Sequence, residues 1–281
     1  MNPLNLPTFL ESPKAEEFRQ KIEQAHFSMQ DKNILMQQIA ISIHTVSERW
    51  PAKRNFLALV IDAGADANTP ITLRDLPGPT RISPQSTFLG ECIDCNDFPA
   101  VQFAIAHKAN TLILKGYDFP LHLSQDVRTS KLLIEHNGFK PFERDEQQPY
   151  NAEYRRQALL AKCMAPTRPY QLLKFYKDLG LNLKFQCKAG GWCLLHCLIF
   201  WVEKTSPQKF FEKFLILYKA GAVDLEERNG SKETALDMIE KKDQNNPYVQ
   251  FAQRLLKDLE KKPHIWKSQL LSVKQAISPC L

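Results

Sequence analysis

The sequence predicts an all-α fold assembled from stacked helix pairs. The stretch from Gly221 to Asp237, GAVDLEERNGSKETALD, compresses a helix stop, a tight turn and a helix start into one string. Strings like its helix stop recur along the chain at intervals of roughly 40 residues, the mark of a repeat architecture. Each pair between two stops carries too little apolar surface to be stable alone, so neighbours must stack.

Local patterns supply the elements in chain order. Ser12 and Pro13 make an N-cap and first-position pair, Glu16 and Glu17 favour the positive end of a helix dipole, and Phe18, Ile22, Ala25 and Met29 recur on one face. Residues 1–31 are therefore expected to form an N-terminal capping helix. Residues 32–262 hold the array. Its helix ends read FLALVIDAGADAN near Gly64, VQFAIAHKAN near Lys108, KLLIEHNG near Asn137, QLLKFYKDLGLNL at Gly180 and FLILYKAGAVDL at Gly221. Glycine takes the left-handed conformation past a helix end cheaply. The helix before Gly221 has its apolar positions at Phe210, Phe211, Phe214, Leu215, Leu217 and Tyr218. Asn229, Gly230 and Ser231 then supply turn chemistry, and Thr234 opens a run through Ala235, Leu236, Met238 and Ile239. Beyond Pro263, Ile265, Trp266, Leu270, Leu271, Val273 and Ile277 have helical spacing, so residues 263–281 are expected to form a C-terminal capping helix and tail.

The helix starts carry a family resemblance. Thr87-Phe88-Leu89, Phe119-Pro120-Leu121-His122 and Gly191-Trp192-Cys193-Leu194-Leu195-His196 are similar to the GxTPLH opening of ankyrin repeats, and the Gly221 string resembles the junction between two such repeats. The resemblance implies an ankyrin-type α-solenoid of about five to six irregular helix-pair repeats with helical caps. The unit from Asn151 to Leu183 lacks the TPLH-like opening and is placed by its second helix and its GLNL ending. By the same resemblance His196 hydrogen-bonds the backbone of the adjoining turn, Cys193 takes the threonine place and Leu195 enters the core. His122 is read like His196.

Composition bounds the function. A chain of 281 residues with 43% hydrophobic content is long enough for one large domain, and a repeat array need not split where globular cores do. The start MNPLNLPTFLESPK lacks a basic and apolar signal run, and the longest apolar stretch, Trp192 to Val202, is too short to span a bilayer. A soluble, cytosolic protein without stable membrane insertion is expected. Seven cysteines without disulfide-scaffold spacing fit a reducing compartment, and Cys280, next to last, does not make a prenylation signal. The net charge of +6 is spread among interspersed acids and bases, which argues against nucleic acid and suits a modest bias toward acidic partners.

One constellation has the residue types for chemistry. In CKAGGWCLLHC, Cys193, His196 and Cys197 stand at i, i+3 and i+4 of a helix, with Cys187 in the preceding loop. The string supplies candidates for zinc or for a thiol nucleophile but no orienting partner, whereas repeat packing accounts for its residues. Cys92 and Cys95 form a CxxC without a second pair, which reads as packing. No phosphate loop, HExxH or GxSxG occurs, so neither a cofactor, a metal nor an enzymatic activity is expected.

The working surface is therefore expected on the inter-repeat loops and the first-helix face of the array. Its candidate residues are Arg74 and Arg81 in the long loop from Ala65 to Gln85, Tyr117, Phe119, Phe142, Arg144, Arg228 and, above all, Trp192 at the variable position of GxTPLH. The expected function is recognition of a protein partner. The array also resembles, as a class, the effectors that intracellular bacterial pathogens inject into host cells, which implies a host protein as partner and the host cytosol as destination. A resident cytosolic adaptor is the other setting, a metal- or thiol-dependent enzyme centred on Cys193 and His196 the alternative function, and nucleic-acid binding the third.

Overall fold

The computed structural model describes residues 6–42, 50–71, 86–113, 118–143, 149–186 and 190–261. Every named element is helical among these residues, and strand-like pairing is confined to isolated bridge residues, as in the antiparallel bridge between Ile71 and Ser86. The segment 263–281, expected as a C-terminal cap, lies outside them. The chain divides into two compact units, Met1–Glu143 and Arg144–Leu281, with the boundary inside the stretch that the sequence reads as one array.

The first unit contains α1 (Leu6–Leu10), α2 (Pro13–Gln24), α3 (Met29–Ser42), α4 (Trp50–Asp62), α5 (Phe88–Asp94), α6 (Phe98–Ala106), α7 (Pro120–Leu123) and α8 (Val127–Glu135). Consecutive helices pair as α3 with α4, α5 with α6 and α7 with α8. The pairs then stack element on equivalent element, α4 on α6, α6 on α8 and α5 on α7. Leu57, Ala58, Leu59, Val60 and Ile61 are all buried, which a surface helix with one apolar stripe would not allow. α4 has neighbours on several sides, because α1, α2, α3 and α6 all pack against it.

The second unit contains α9 (Pro149–Cys163), α10 (Tyr170–Asp178), α11 (Leu194–Phe200), α12 (Pro207–Lys219), α13 (Ala235–Glu240) and α14 (Pro247–Lys261). It repeats the scheme. Pairs α9 with α10, α11 with α12 and α13 with α14 stack so that α11 lies between α9 and α13, and α12 between α10 and α14. Phe210, Phe211, Phe214 and Leu217 of α12 are buried, as their spacing predicts.

Local chemistry sets each helix end. All five residues named as stops have positive φ: Gly64 (100°), Lys108 (62°), Asn137 (67°), Gly180 (89°) and Gly221 (64°). Each is followed by a backbone N–H that reaches back to close the last turn. Ala65 donates to Val60 O, Ala109 to Ala104 O, Gly138 to Leu133 O, Leu181 to Tyr176 O and Ala222 to Leu217 O. This is the Schellman arrangement, which satisfies carbonyls that the helix itself leaves open. The starts are equally local. Thr87 caps α5 by accepting from Gly90 N, and Thr234 caps α13 by accepting from Asp237 N while Asp237 accepts from Thr234 N.

The N-terminal cap is shorter than its sequence pattern suggests. Ser12 accepts from Ala15 N to start α2, but the helix stops at Gln24, Ala25 lies past its end, and Met29 opens α3 and is 62% exposed. Positive φ at His26 turns the chain and breaks the stripe that Phe18, Ile22, Ala25 and Met29 would have formed.

Between neighbouring pairs the loops touch backbone to backbone. Gly230 N–H donates to Gly190 O at 2.6 Å, leaving no room for side chains. A Cβ on Gly230 would meet Gly190 O at 2.7 Å, and one on Gly191 would meet Gly230 N at 2.8 Å. Gly180, by contrast, has φ +89° but open space around it. Gly180→Ala is therefore expected to lose roughly 1–2 kcal/mol, the left-handed cost alone, and Gly191→Ala, with φ +65° and a backbone clash, distinctly more. Urea unfolding midpoints of the two variants check this ordering, and equal losses would contradict the loop contact.

Candidate functional site

The Gly190–Gly230 contact sets the position of Trp192. The indole lies over Gly190, where an added Cβ would come within 3.3 Å of Trp192 Cδ1. Its ring centroid is 5.5 Å from Phe200, and Phe200 is 5.0 Å from Trp201, both edge-on. Phe200 is the last residue of α11, Trp192 lies just before its N-cap Cys193, and the Trp192 ring is 6.4 Å from that of His196. Phe200 is 47% exposed, and Trp192 and Trp201 are half-buried. The three rings form an aromatic ledge from the loop before α11 to the 3-10 turn after it.

Charges along the ledge are partly engaged. Lys242 Nζ sits 5.4 Å from the Phe200 ring centroid, donates to Phe200 O at 3.4 Å and pairs with Glu203 at 3.4 Å. Lys241 is bonded to Glu233. Lys204 and Lys232, both exposed, have no carboxylate partner among the described residues.

Beneath the ledge, Cys193 and His196 form a helix start rather than a reactive pair. Cys193 is the N-cap of α11, and its backbone N–H donates to His196 Nδ1 at 3.2 Å; Sγ lies 3.1 Å from the same nitrogen. That amide donor assigns the lone pair to Nδ1, so the ring is not the doubly protonated partner that a thiolate needs. Burial pushes the Cys193 thiol up to about 11, and burial also lowers the His196 pKa against the opposing Glu227 charge. Both shifts favour the neutral forms. His196 Nε2 is buried and faces the chain at Glu227 and Glu233 without a hydrogen-bond partner among the described residues. The resemblance implies a backbone bond to the adjoining turn; Nδ1 serves the imidazole's own helix start, and the other edge of the ring faces the backbone of Glu227 and Glu233 in that turn. Leu195 is fully buried, as expected. Among the described residues no group of three His, Cys, Asp or Glu side chains could hold a metal ion, and Cys187 lies outside them.

The other candidate residues separate. Phe142 is fully buried and leaves the binding surface. Its ring packs 5.0 Å from His122, 5.9 Å from Phe119 and 5.6 Å from Phe139, so the apolar side chain that the loop pattern places outside is core. Phe119 is half-buried in the same cluster, and His122 is buried with Nδ1 3.5 Å from Asp118. Arg228 is exposed, but its Nη1 donates to Lys232 O at 2.7 Å and so closes its own hairpin. Arg74, Arg81, Tyr117 and Arg144 lie outside the described residues.

Three features escaped the sequence. Phe200 and Trp201 looked like the end of an apolar run. A cleft of about 820 Å³ opens in the first unit between Leu6, Leu10, Pro13, Pro99 and Phe103; its Arg19 is engaged by Asp62 at 2.7 Å and Glu16 at 3.4 Å. Lys213 is fully buried, with Nζ donating to Ala165 O at 2.6 Å. No spacing rule marks a lysine that a neighbouring helix end needs as a cap.

No protein-family model matches the chain, and no curated protein matches it.

Two outcomes follow from these environments. Cys193 should resist iodoacetamide in the native state while exposed Cys95 reacts, as peptide mapping after a short pulse would show; rapid labelling of Cys193 would contradict its burial. Burial lowers Lys213 from 10.5 to about 8. Below about pH 8 both folded and unfolded states hold the proton, and the buried charge costs stability in full. Between about 8 and 10.5 the unfolded chain binds more protons, so stability rises with pH, by up to about 3 kcal/mol. Urea midpoints at pH 7 and pH 10 should show the rise in the parent protein and a flatter profile in Lys213→Met.

Proposed function

We propose that this chain is an ankyrin-type repeat module whose function is protein–protein recognition, through its inter-repeat loops and first-helix face. The observation that carries the reading is the aromatic ledge at a loop tip of a repeating framework. Trp192, Phe200 and Trp201 expose apolar area that the α11–α12 pair does not use for its core. Aromatic side chains of this kind are enriched where interfaces concentrate their binding energy.

The framework itself supports the repeat part of the reading. Contacts between neighbouring pairs range from 25 residues for Thr111–His136 to 48 for Lys213–Ala165, but five of them recur at nearly one sequence separation. They span 43 residues for Arg54–Asp97, 42 for Asn110–Asn68, 42 for Gln186–Arg228, 43 for Lys209–Pro166 and 43 for Asn246–Glu203. A constant separation is what stacked, equivalent units produce. Four helix starts share one register, with Thr87, Phe119, Cys193 and Thr234 at the N-cap. Among the described residues no helix is long and apolar enough to cross a membrane.

The test is capture of a partner by cross-linking from cell lysate, followed by affinity measurement with the purified pair. Trp192→Ala and Phe200→Ala should each weaken binding by about thirtyfold, equivalent to about 2 kcal/mol, with melting temperature nearly unchanged. A melting-temperature loss with unchanged affinity would return these rings to packing. The partner is a host protein if the chain acts as an injected effector, and parallel capture from host and source-cell lysates separates that setting from a resident adaptor.

A further inference from the structure

We infer that the ledge of Trp192, Phe200 and Trp201 binds an acidic peptide segment with an apolar or aromatic anchor. The inference rests on the recognition reading above and names the partner's chemistry. The rings alone would accept any apolar side chain, so the selective element has to come from the charges around them.

Those charges divide unequally. Glu203, beside Trp201, is paired with Lys242, and Glu233, behind the Gly230 turn, is bonded to Lys241 and accepts from Asn229 Nδ2 at 3.1 Å. Asp237 accepts from Thr234 N at 2.8 Å and lies 3.9 Å from Arg228. These three acids are therefore engaged by other groups of the fold, and Glu227, whose charge acts on Cys193 and His196, lies beneath the ledge. Lysines are left over at both ends. Lys204 closes the 3-10 turn that follows Trp201, its N–H donating to Trp201 O at 3.0 Å, and its exposed ammonium has no partner among the described residues. Lys232 sits at the other end with positive φ (65°), in the turn whose Gly230 touches Gly190 beneath the indole. Its exposed ammonium is likewise without a partner among the described residues.

The pattern is an apolar strip between two unpaired cations. A segment with an apolar anchor on the rings and carboxylates on either side would satisfy both lysines without displacing an internal ion pair. A basic segment would meet like charge at both ends, and repulsion of that kind discriminates between partners.

The experiment is selection from a displayed library of random 15-residue peptides on the full chain, with parallel selection on Lys204→Glu/Lys232→Glu. Both lysines are exposed, so the charge-reversed protein keeps the fold, which circular dichroism and the melting temperature verify. Peptides enriched on the parent should be net acidic with an aromatic or large aliphatic residue. Their affinity should fall about tenfold or more on the charge-reversed protein and weaken with added salt. Trp192→Ala and Phe200→Ala should abolish their capture. Enriched peptides that are neutral or basic, or that bind the charge-reversed protein equally well, would overturn the acidic-segment inference and leave partner recognition standing. An absence of any enriched peptide dependent on Trp192 or Phe200 would overturn both.

Discussion

The structure depends on how a helix end is closed. Each stop places one residue in the left-handed region and returns the next N–H to the last turn, as at Gly64 and Gly221, yet carbonyls remain open beyond it. Side chains from other segments take them. Within the α3–α4 pair Lys32 Nζ donates to Ala63 O at 2.6 Å, and between pairs Gln125 Nε2 donates to Asp94 O at 2.8 Å, Thr111 Oγ1 to His136 O at 2.7 Å and Lys213 Nζ to Ala165 O at 2.6 Å. A helix pair is thus incomplete in its hydrogen bonding as well as in its apolar burial. Stacking supplies both.

That dependence explains why polar residues are found where a globular core would exclude them. Arg54 is 7% exposed, with Nη1 2.6 Å from Asp97 and Nε bonded to Asn55 Oδ1 at 2.9 Å. Asp97 is also the N-cap of α6, accepting from Ala100 N, so one carboxylate serves a helix start and an ion pair between α4 and α6. Removing one partner of such a pair leaves a buried charge uncompensated, which is more damaging than never having had the pair. Lys213 is the same device with a carbonyl in place of the carboxylate. Its desolvation is the cost of closing α9 from α12.

The same geometry separates packing from display along α11. His196 in the first turn of α11 and Trp192 just before its N-cap are neighbours, but the imidazole bonds the Cys193 backbone while the indole lies over Gly190. The backbone contact between Gly190 and Gly230 makes the difference. With glycine at the contact in both loops, the turns close to hydrogen-bond distance, and the indole lies over Gly190 against Phe200. Rigid placement lowers the ordering cost that a mobile aromatic would incur on binding.

The sequence by itself determined where helices stop and start. Gly64, Lys108, Asn137, Gly180 and Gly221 are legible as stops, and Thr87, Cys193 and Thr234 as starts, because a left-handed turn or an N-cap is decided by a few consecutive residues. It also marked Trp192 as the aromatic at a loop tip, though not the ring that would support it. Tertiary structure decided the side chains that helical spacing does not place. Phe142 and Phe200 are both phenylalanines at the ends of short helical segments, yet one is fully buried against His122 and the other nearly half exposed beside Lys242. Lys213 carries no sign in its own helix that it will be buried. In each case the deciding neighbour comes from another segment of the chain, beyond the reach of helical periodicity.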